Sequence, residues 1–522
     1  MKRTLVITAA IVPLAALIPV SGSSASTTTA ASTATTCSTI SIKAPQGARV
    51  DSLSAVDKPG GTVDVPPNPP FPSGPVAGVP AYCEVTVQLS HPGAGDHVKT
   101  VVWLPKTGWN GRFQALGGSG YFAGEFGIPW ANAVKAGYAV ASTDAGVGPS
   151  GFTADPWALK DGEVNQALLK NFASRSVHEL SIVGKAVTNQ YYGRAAAYSY
   201  WTGCSTGGRQ GYLEAQQHPD DFDGILAQSP AVNWDRWTVG AIWPAVVMNQ
   251  EKTYPTACVF AEFTKAAVQA CDAKDGVLNG VIDQPQNCTW APDRLIGKTV
   301  LCDGKPVEIT AADARVVRKI WDGPRGYYGL TRGTPFDGLA TTQAAEPHAV
   351  PFIVPDSWVR NFLKLDPAYD TSKLTYAQFA KLFRQSQAQY NRVIGSDNPD
   401  LSAFQRSGGK LLSWHGLSDS LIPALGTVDY RKRVERELGG SARVNDFYRL
   451  FLAPGAGHCG GGITPTDPLT SLVTWVEKGE APKTLPAATA DGAEQRDLCA
   501  YPKVSQYVGH GDPRVATSYR CS

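Results

Sequence analysis

The sequence predicts an α/β fold: a mainly parallel sheet covered by helices on both faces, interrupted by one large insertion. Three observations predict it. Strand-like runs alternate with helical ones on either side of a long middle segment. Gly203-Cys204-Ser205-Thr206-Gly207 sets a serine in a G-x-S-x-G turn between a predicted strand and a predicted helix. The middle segment, 237–399, has few strand signals, many aromatics and four of the ten cysteines.

Each element follows from local pattern. Lys2 and Arg3, an apolar run from Leu5 to Val20 broken by Pro13 and Pro19, and Ser23-Ser24-Ala25 make residues 1–25 a secretion signal. The apolar run falls short of the ~20 residues a membrane span needs. Residues 26–36, rich in Ser, Thr and Ala, read as a flexible linker, and Val63 to Pro80 as a Pro/Gly loop. Glu84 to Leu89 alternates polar and apolar, as a half-buried strand does. Val101–Pro105, Phe113–Leu116 and Tyr138–Ser142 are further strands. Leu180, Val183, Val187 and Tyr191 recur at helical spacing. Ala195–Trp201 reads as the strand entering the serine turn and Gly207–Gln217 as the helix leaving it. Strands resume at Lys410–His415 and Phe447–Leu452. A last helix is capped by Asp467, started by Pro468 and ended at Gly479. Residues 37–236 and 400–522 thus form a catalytic domain, with 237–399 inserted as a lid over the C-terminal edge of the sheet, where ligands of such sheets bind.

Composition limits the function. A chain of 522 residues suffices for one large domain plus the insertion, and 43% hydrophobic content with 13 tryptophans supports a substantial core. A net charge of +2 gives no reason to expect nucleic acid or an anionic membrane as partner. Ten cysteines agree with an oxidising compartment.

A serine nucleophile needs a base, and the base needs an acid to hold it. In the α/β-hydrolase arrangement they follow in the order Ser, Asp, His. Asp419, just after one predicted strand, and His458, just after the next, supply that order behind Ser205. Singly, Asp419 reads equally well as a turn cap and His458 as a surface loop residue; order and strand-end placement favour the catalytic set. His415 is the competing base, ranked second because it lies inside a strand end; His178 and His218 read as structural. An oxyanion hole needs two backbone N–H donors. Thr206 follows the nucleophile, and Gly118 in Leu116-Gly117-Gly118-Ser119-Gly120 is the expected second donor. If Ser205 meets His458, their neighbours Cys204 and Cys459 are close enough to form a disulfide. Cys204 as a thiol nucleophile is the rival, disfavoured by export and the even cysteine count.

These residues resemble the tannase/feruloyl esterase family, whose paired elements Cys-Ser, Asp and His-Cys stand here as Cys204-Ser205, Asp419 and His458-Cys459. Further likeness lies in Pro219–Ile225, Asn398–Phe404, Gly408–Leu411, His458–Gly462 and the tail from Leu498 to Cys521. Two departures are Val147 after Thr143-Asp144-Ala145-Gly146, where the family often has His, and Gln228-Ser229-Pro230-Ala231 in place of Gly-Ala-Pro-Ala. The resemblance implies an α/β-hydrolase fold with a lid, and a secreted serine esterase acting on esters of aromatic acids. Small or polysaccharide-linked feruloyl esters are the first expectation, galloyl esters the second and terephthalate monoesters the third. A non-catalytic binding protein on the same scaffold is the alternative of a different class. The protein is expected to be a monomer or homodimer. By composition, Cys271 to Asp283 would be two Asp-Gly and Asn-Gly turns. The resemblance implies instead a structural calcium in the lid, held by side chains of Asp272, Asp275 and Asn279 and carbonyls of Val277 and Val281, with no organic cofactor. In the same light the expected disulfides are Cys271–Cys288, Cys37–Cys83, Cys258–Cys302 and Cys499–Cys521.

Overall fold

The computed structural model describes residues 37–65, 73–124, 126–148, 151–343 and 348–522. The expected signal, 1–25, and linker, 26–36, lie outside the described residues. Nine strands form the main sheet: β1 (Arg49–Lys58), β2 (Tyr82–Ser90), β3 (Val98–Pro105), β4 (Arg112–Leu116), β5 (Ala139–Thr143), β6 (Tyr198–Cys204), β7 (Gly224–Gln228), β8 (Lys410–Gly416) and β9 (Tyr448–Ala453). Their order is β1-β2-β3-β5-β4-β6-β7-β8-β9. β1, β2, β3 and β5 pair antiparallel in succession; every other pair, from β5–β4 to β8–β9, is parallel. The parallel strands are buried on both faces. On one, Phe113, Trp201 and Ile225 pack with Val183 and Val187 of α1 (Ser176–Tyr192), Tyr212 of α2 (Thr206–Gln217) and Tyr430 of α3 (Ala424–Leu438). On the other, Tyr200 and Leu226 pack with Leu472 and Trp475 of α4 (Pro468–Lys478).

Sequence pattern explains the helix ends. The Asp467 carboxylate accepts from the Thr470 N–H at 3.1 Å, and Gly479 ends α4 with a left-handed φ of 74°. Two expectations are corrected. The strand into the serine turn starts at Tyr198, not Ala195, because its pairing with β4 begins at Arg112; it runs on to Cys204, which pairs with Gln228. The expected loop from Val63 to Pro80 instead contains an antiparallel pairing of Gly61–Val65 with Gly74–Val79.

Between β7 and β8, the described residues add no strand to this sheet. Helices such as Ala257–Cys271, Ala311–Asp322 and Tyr376–Ile394, and short hairpins, fill the interval. Phe263, Trp321 and Trp358 of this inserted segment share one apolar cluster with Tyr121, Trp157 and Phe172, which follow β4 and β5. The insertion therefore packs on loops that leave the C-terminal ends of strands, where the chemistry-bearing residues sit.

Candidate active site

β6 reaches the serine through a turn that only small residues permit. A Cβ on Gly203 would lie 2.6 Å from the backbone carbon of Gly207. Ser205 itself takes φ 60° and ψ −118°, a strained conformation for a residue with a side chain. Backbone hydrogen bonds hold it there: Ser205 N–H donates to Gln228 O at 3.0 Å, and Ala231 N–H donates to Ser205 O at 3.1 Å.

The loops after β8 and β9 are pressed together. A Cβ on Gly416 would collide with the Ala456 carbonyl, and Ser418 N–H donates to Ala456 O at 2.9 Å. This contact brings Asp419 to His458, whose Nδ1 donates to Asp419 Oδ2 at 2.8 Å. Asp419 Oδ1 accepts from the N–H groups of Leu421 and Ile422 at 2.9 and 2.8 Å. Burial alone would push the Asp419 carboxyl up. The His458 charge and the hydrogen bonds from His415 and His458 outweigh burial and hold it far below the usual carboxylate range. With Nδ1 as donor to the carboxylate, His458 keeps Nε2 as its acceptor.

Ser205 and His458 line one cavity of about 130 Å³, with Ser119, Gly120, Phe152, Trp237, Phe352, Val354 and Leu421. Trp237 is fixed there by its Nε1–H bond to Leu421 O at 2.9 Å. A larger cavity of about 730 Å³ lies against Trp243, Tyr376 and Phe383 and contains none of Ser205, Asp419 or His458.

The structure brings the predicted cysteines together in five disulfides: Cys204–Cys459, Cys37–Cys83, Cys258–Cys302, Cys271–Cys288 and Cys499–Cys521. The first joins the residue before Ser205 to the residue after His458, with Cα atoms 6.0 Å apart. Thr206 opens α2, where helical N–H groups lack intrahelical partners; its hydroxyl donates to Gly120 O at 2.7 Å. Gly118 is placed differently from expectation. Its N–H donates to Gln210 Oε1 at 3.1 Å, and its carbonyl accepts from Gly207 N–H at 2.9 Å. Gly118 thus fastens the loop to α2, and it is the next two residues, Ser119 and Gly120, that face the cavity. His178 and His218 stack at 3.9 Å and do not line it.

The acidic loop encloses its own carboxylates. Asp272 accepts from the N–H groups of Asn279 and Gly280 at 3.3 and 2.9 Å, Asp275 from Val277 N–H at 3.0 Å, and Asn279 Oδ1 from Val281 N–H at 3.2 Å. Burial and the neighbouring carboxylates of Asp283 and Asp272 push Asp275 up to about 6. Arg496 pairs with Asp283, 2.7 Å to each oxygen; among the described residues no Lys or Arg pairs with Asp272 or Asp275. A Cβ on Gly455 would lie 2.9 Å from Val281 Cγ2, so this loop packs against the loop that carries His458. Sequence reasoning missed that Arg496–Asp283 pair, the Gln210 anchor and the contact of His415 with Asp419. Only the last carried a sequence signal, a spacing of four residues.

A serine in a strained strand–helix turn, a histidine sharing its cavity and a buried carboxylate behind that histidine are the arrangement of an α/β-hydrolase serine site. Comparison with known proteins narrows the class. The profile of the family described as "Tannase and feruloyl esterase" matches residues 83–522, and the chain belongs to that family. It is 48% identical over 503 residues to a probable feruloyl esterase of Arthroderma benhamiae, covering 92% of this chain and 93% of that one. Among solved structures it is similar to a tannin acyl hydrolase from Aspergillus niger (TM-score 0.80, 25% identity, 91% and 92% of the two chains). It is equally similar to feruloyl esterase B from Aspergillus oryzae (TM-score 0.79, 26% identity, 92% and 97%).

Proposed function

We propose that the protein is an exported serine carboxylesterase that hydrolyses hydroxycinnamoyl esters such as feruloyl esters. Ser205 Oγ attacks the ester carbonyl while His458 Nε2 takes its proton. The oxyanion is held by the N–H of Thr206 and by a second N–H from Ser119-Gly120, in place of Gly118. Collapse expels the alcohol, protonated by His458, and leaves an acyl-Ser205. His458 then deprotonates a water that attacks this acyl group and releases the aromatic acid. Asp419 holds the Nδ1–H tautomer of His458 and stabilises the imidazolium.

The observation that carries the acyl preference is the wall of the cavity beside Ser205. It is made of Phe152, Trp237, Phe352, Val354 and Leu421, with Trp237 Nε1 already bonded to Leu421 O. A galloyl ring brings three hydroxyls that need polar partners, and hydroxyls without partners are strongly disfavoured in such a wall. A feruloyl group brings one hydroxyl, a methoxyl and an apolar propenoyl spacer. The near full-length similarity to a protein named a probable feruloyl esterase points the same way. Export rests on the 1–25 signal and on complete disulfide pairing of all ten cysteines. No helix among the described residues is long and apolar enough to cross a membrane.

Calcium fits the acidic loop on the chemistry of its donors. Asp272, Asp275 and Asn279 offer hard oxygens, and among the described residues no Lys or Arg pairs with the two carboxylates; the family resemblance adds the carbonyls of Val277 and Val281 as further ligands. The ion would supply charge neutralisation and rigidity to the lid and take no part in the ester chemistry.

The serine assignment is tested with a fluorophosphonate probe. Mass spectrometry should find one phosphonyl adduct, on the peptide containing Ser205, and Ser205→Ala should lose both the adduct and methyl ferulate hydrolysis. An adduct on another residue, or hydrolysis that survives Ser205→Ala, contradicts the assignment.

A further inference from the structure

We infer that His415 is a positioning residue for the acyl-transfer reaction: it fixes the Asp419 carboxylate so that one oxygen meets His458. The inference rests on the reading of Ser205, His458 and Asp419 as the catalytic set. His415 is fully buried near the end of β8. Its Nε2 lies 3.1 Å from Asp419 Oδ2 and 3.0 Å from Ile422 O. Both are acceptors, so Nε2 carries the hydrogen. Its Nδ1 lies 2.8 Å from Thr427 Oγ1, a hydroxyl able to donate to it. The ring is thereby held in one tautomer and one orientation by the loop after β8 and by α3.

Asp419 Oδ2 consequently has two histidine donors, His415 Nε2 and His458 Nδ1, and Oδ1 has two backbone donors, Leu421 and Ile422. The backbone pair anchors Oδ1 but does not by itself fix the rotation that points Oδ2 at His458. His415 supplies that constraint from outside the Ser205 cavity. It cannot serve as the base, because both its nitrogens are engaged and it does not line the Ser205 cavity. A misplacement of the Asp–His pair by about 1 Å costs on the order of 100-fold in rate without weakening substrate binding.

The test compares His415→Leu, which fills the space without a donor, with His415→Gln, whose amide N–H can reach Asp419 from the Nε2 position. Methyl ferulate kinetics, the inactivation rate by a fluorophosphonate and the melting temperature are read for each, beside Ser205→Ala. The expected result for His415→Leu is a kcat about 100-fold lower with KM within about twofold and a parallel fall in inactivation rate. His415→Gln should recover at least about tenfold of that loss. Wild-type kcat in folded His415→Leu overturns the inference. So do equal losses in Leu and Gln variants that track a lowered melting temperature. If His415→Leu does not fold, Thr427→Val carries the test: kcat about tenfold lower at unchanged KM supports the inference, and wild-type kcat overturns it. Activity that persists in Ser205→Ala would instead overturn the underlying catalytic reading.

Discussion

The Cys204–Cys459 bridge is the perturbation with the largest calculable effect. Replacing both cysteines by alanine, Cys204→Ala with Cys459→Ala, frees a loop closed across a separation of 255 residues. In the chain-entropy model that closure is worth about 5.5 kcal/mol at 25 °C. The nested Cys258–Cys302 bridge, separation 44, shortens the effective loop and lowers the figure by only about 0.2 kcal/mol. With an unfolding entropy of about 2.1 cal/mol/K per residue, a body of this size has close to 1 kcal/mol/K, so the melting temperature should fall by about 5 °C. The rate should fall as well, because the bridge ties the serine turn to the histidine loop. The assay is calorimetric melting of the oxidised wild type and the double variant, with methyl ferulate kcat measured well below both transitions. A melting temperature and kcat both equal to wild type would refute the idea that this bridge holds the site.

Three other perturbations test separate parts of the account. Asp235 is fully buried and accepts from Asn391 Nδ2 at 3.5 and 3.4 Å, and burial pushes it up to about 6. Between pH ~4 and ~6 the folded protein binds more protons here than the unfolded chain, so stability falls as pH rises through that window. Above it the penalty levels near 3 kcal/mol. Asp235→Asn should therefore melt higher than wild type at pH 7–8 and show no advantage at pH 4; a pH-independent difference argues against a buried ionising carboxylate. Phe352→Ala, which opens the apolar wall, should raise KM for methyl ferulate about tenfold, a loss near 1.4 kcal/mol. It should leave p-nitrophenyl acetate hydrolysis nearly unchanged, and equal effects on both esters would remove Phe352 from the acyl pocket. Chelation with EGTA should lower the melting temperature, calcium should restore it, and Asp272→Asn should abolish the response; a wild type indifferent to EGTA rules out a stabilising calcium.

Legibility in the sequence followed the range of the interaction. The serine turn, the capped last helix and the buried strands were readable because each is set by a few adjacent residues. β1 was not: Arg49-Val50-Asp51-Ser52-Leu53-Ser54 has no strict alternation, and its strand state comes from pairing with β2. Asp419 and His458 were readable from chain order, yet the close approach of their loops, which Gly416 permits because a Cβ there would collide with the Ala456 carbonyl, was not. Gly118 failed as the exposed donor because the side chain that occupies its N–H, Gln210, lies 92 residues on. The aromatic wall stayed unread for the same reason. Of the many aromatics in the inserted segment, Trp237 and Phe352 line the Ser205 cavity, while Trp358 packs in the apolar cluster that the insertion shares with Tyr121, Trp157 and Phe172.

The acyl preference and the role of Ser205 are both decided by kcat/KM for methyl ferulate and methyl gallate, measured side by side with Ser205→Ala as the blank. Hydrolysis of both should be lost in Ser205→Ala, and the wild type should prefer ferulate by at least about 100-fold. Equal turnover of the two esters, or a preference for gallate, would contradict the apolar acyl pocket on which the proposed function rests.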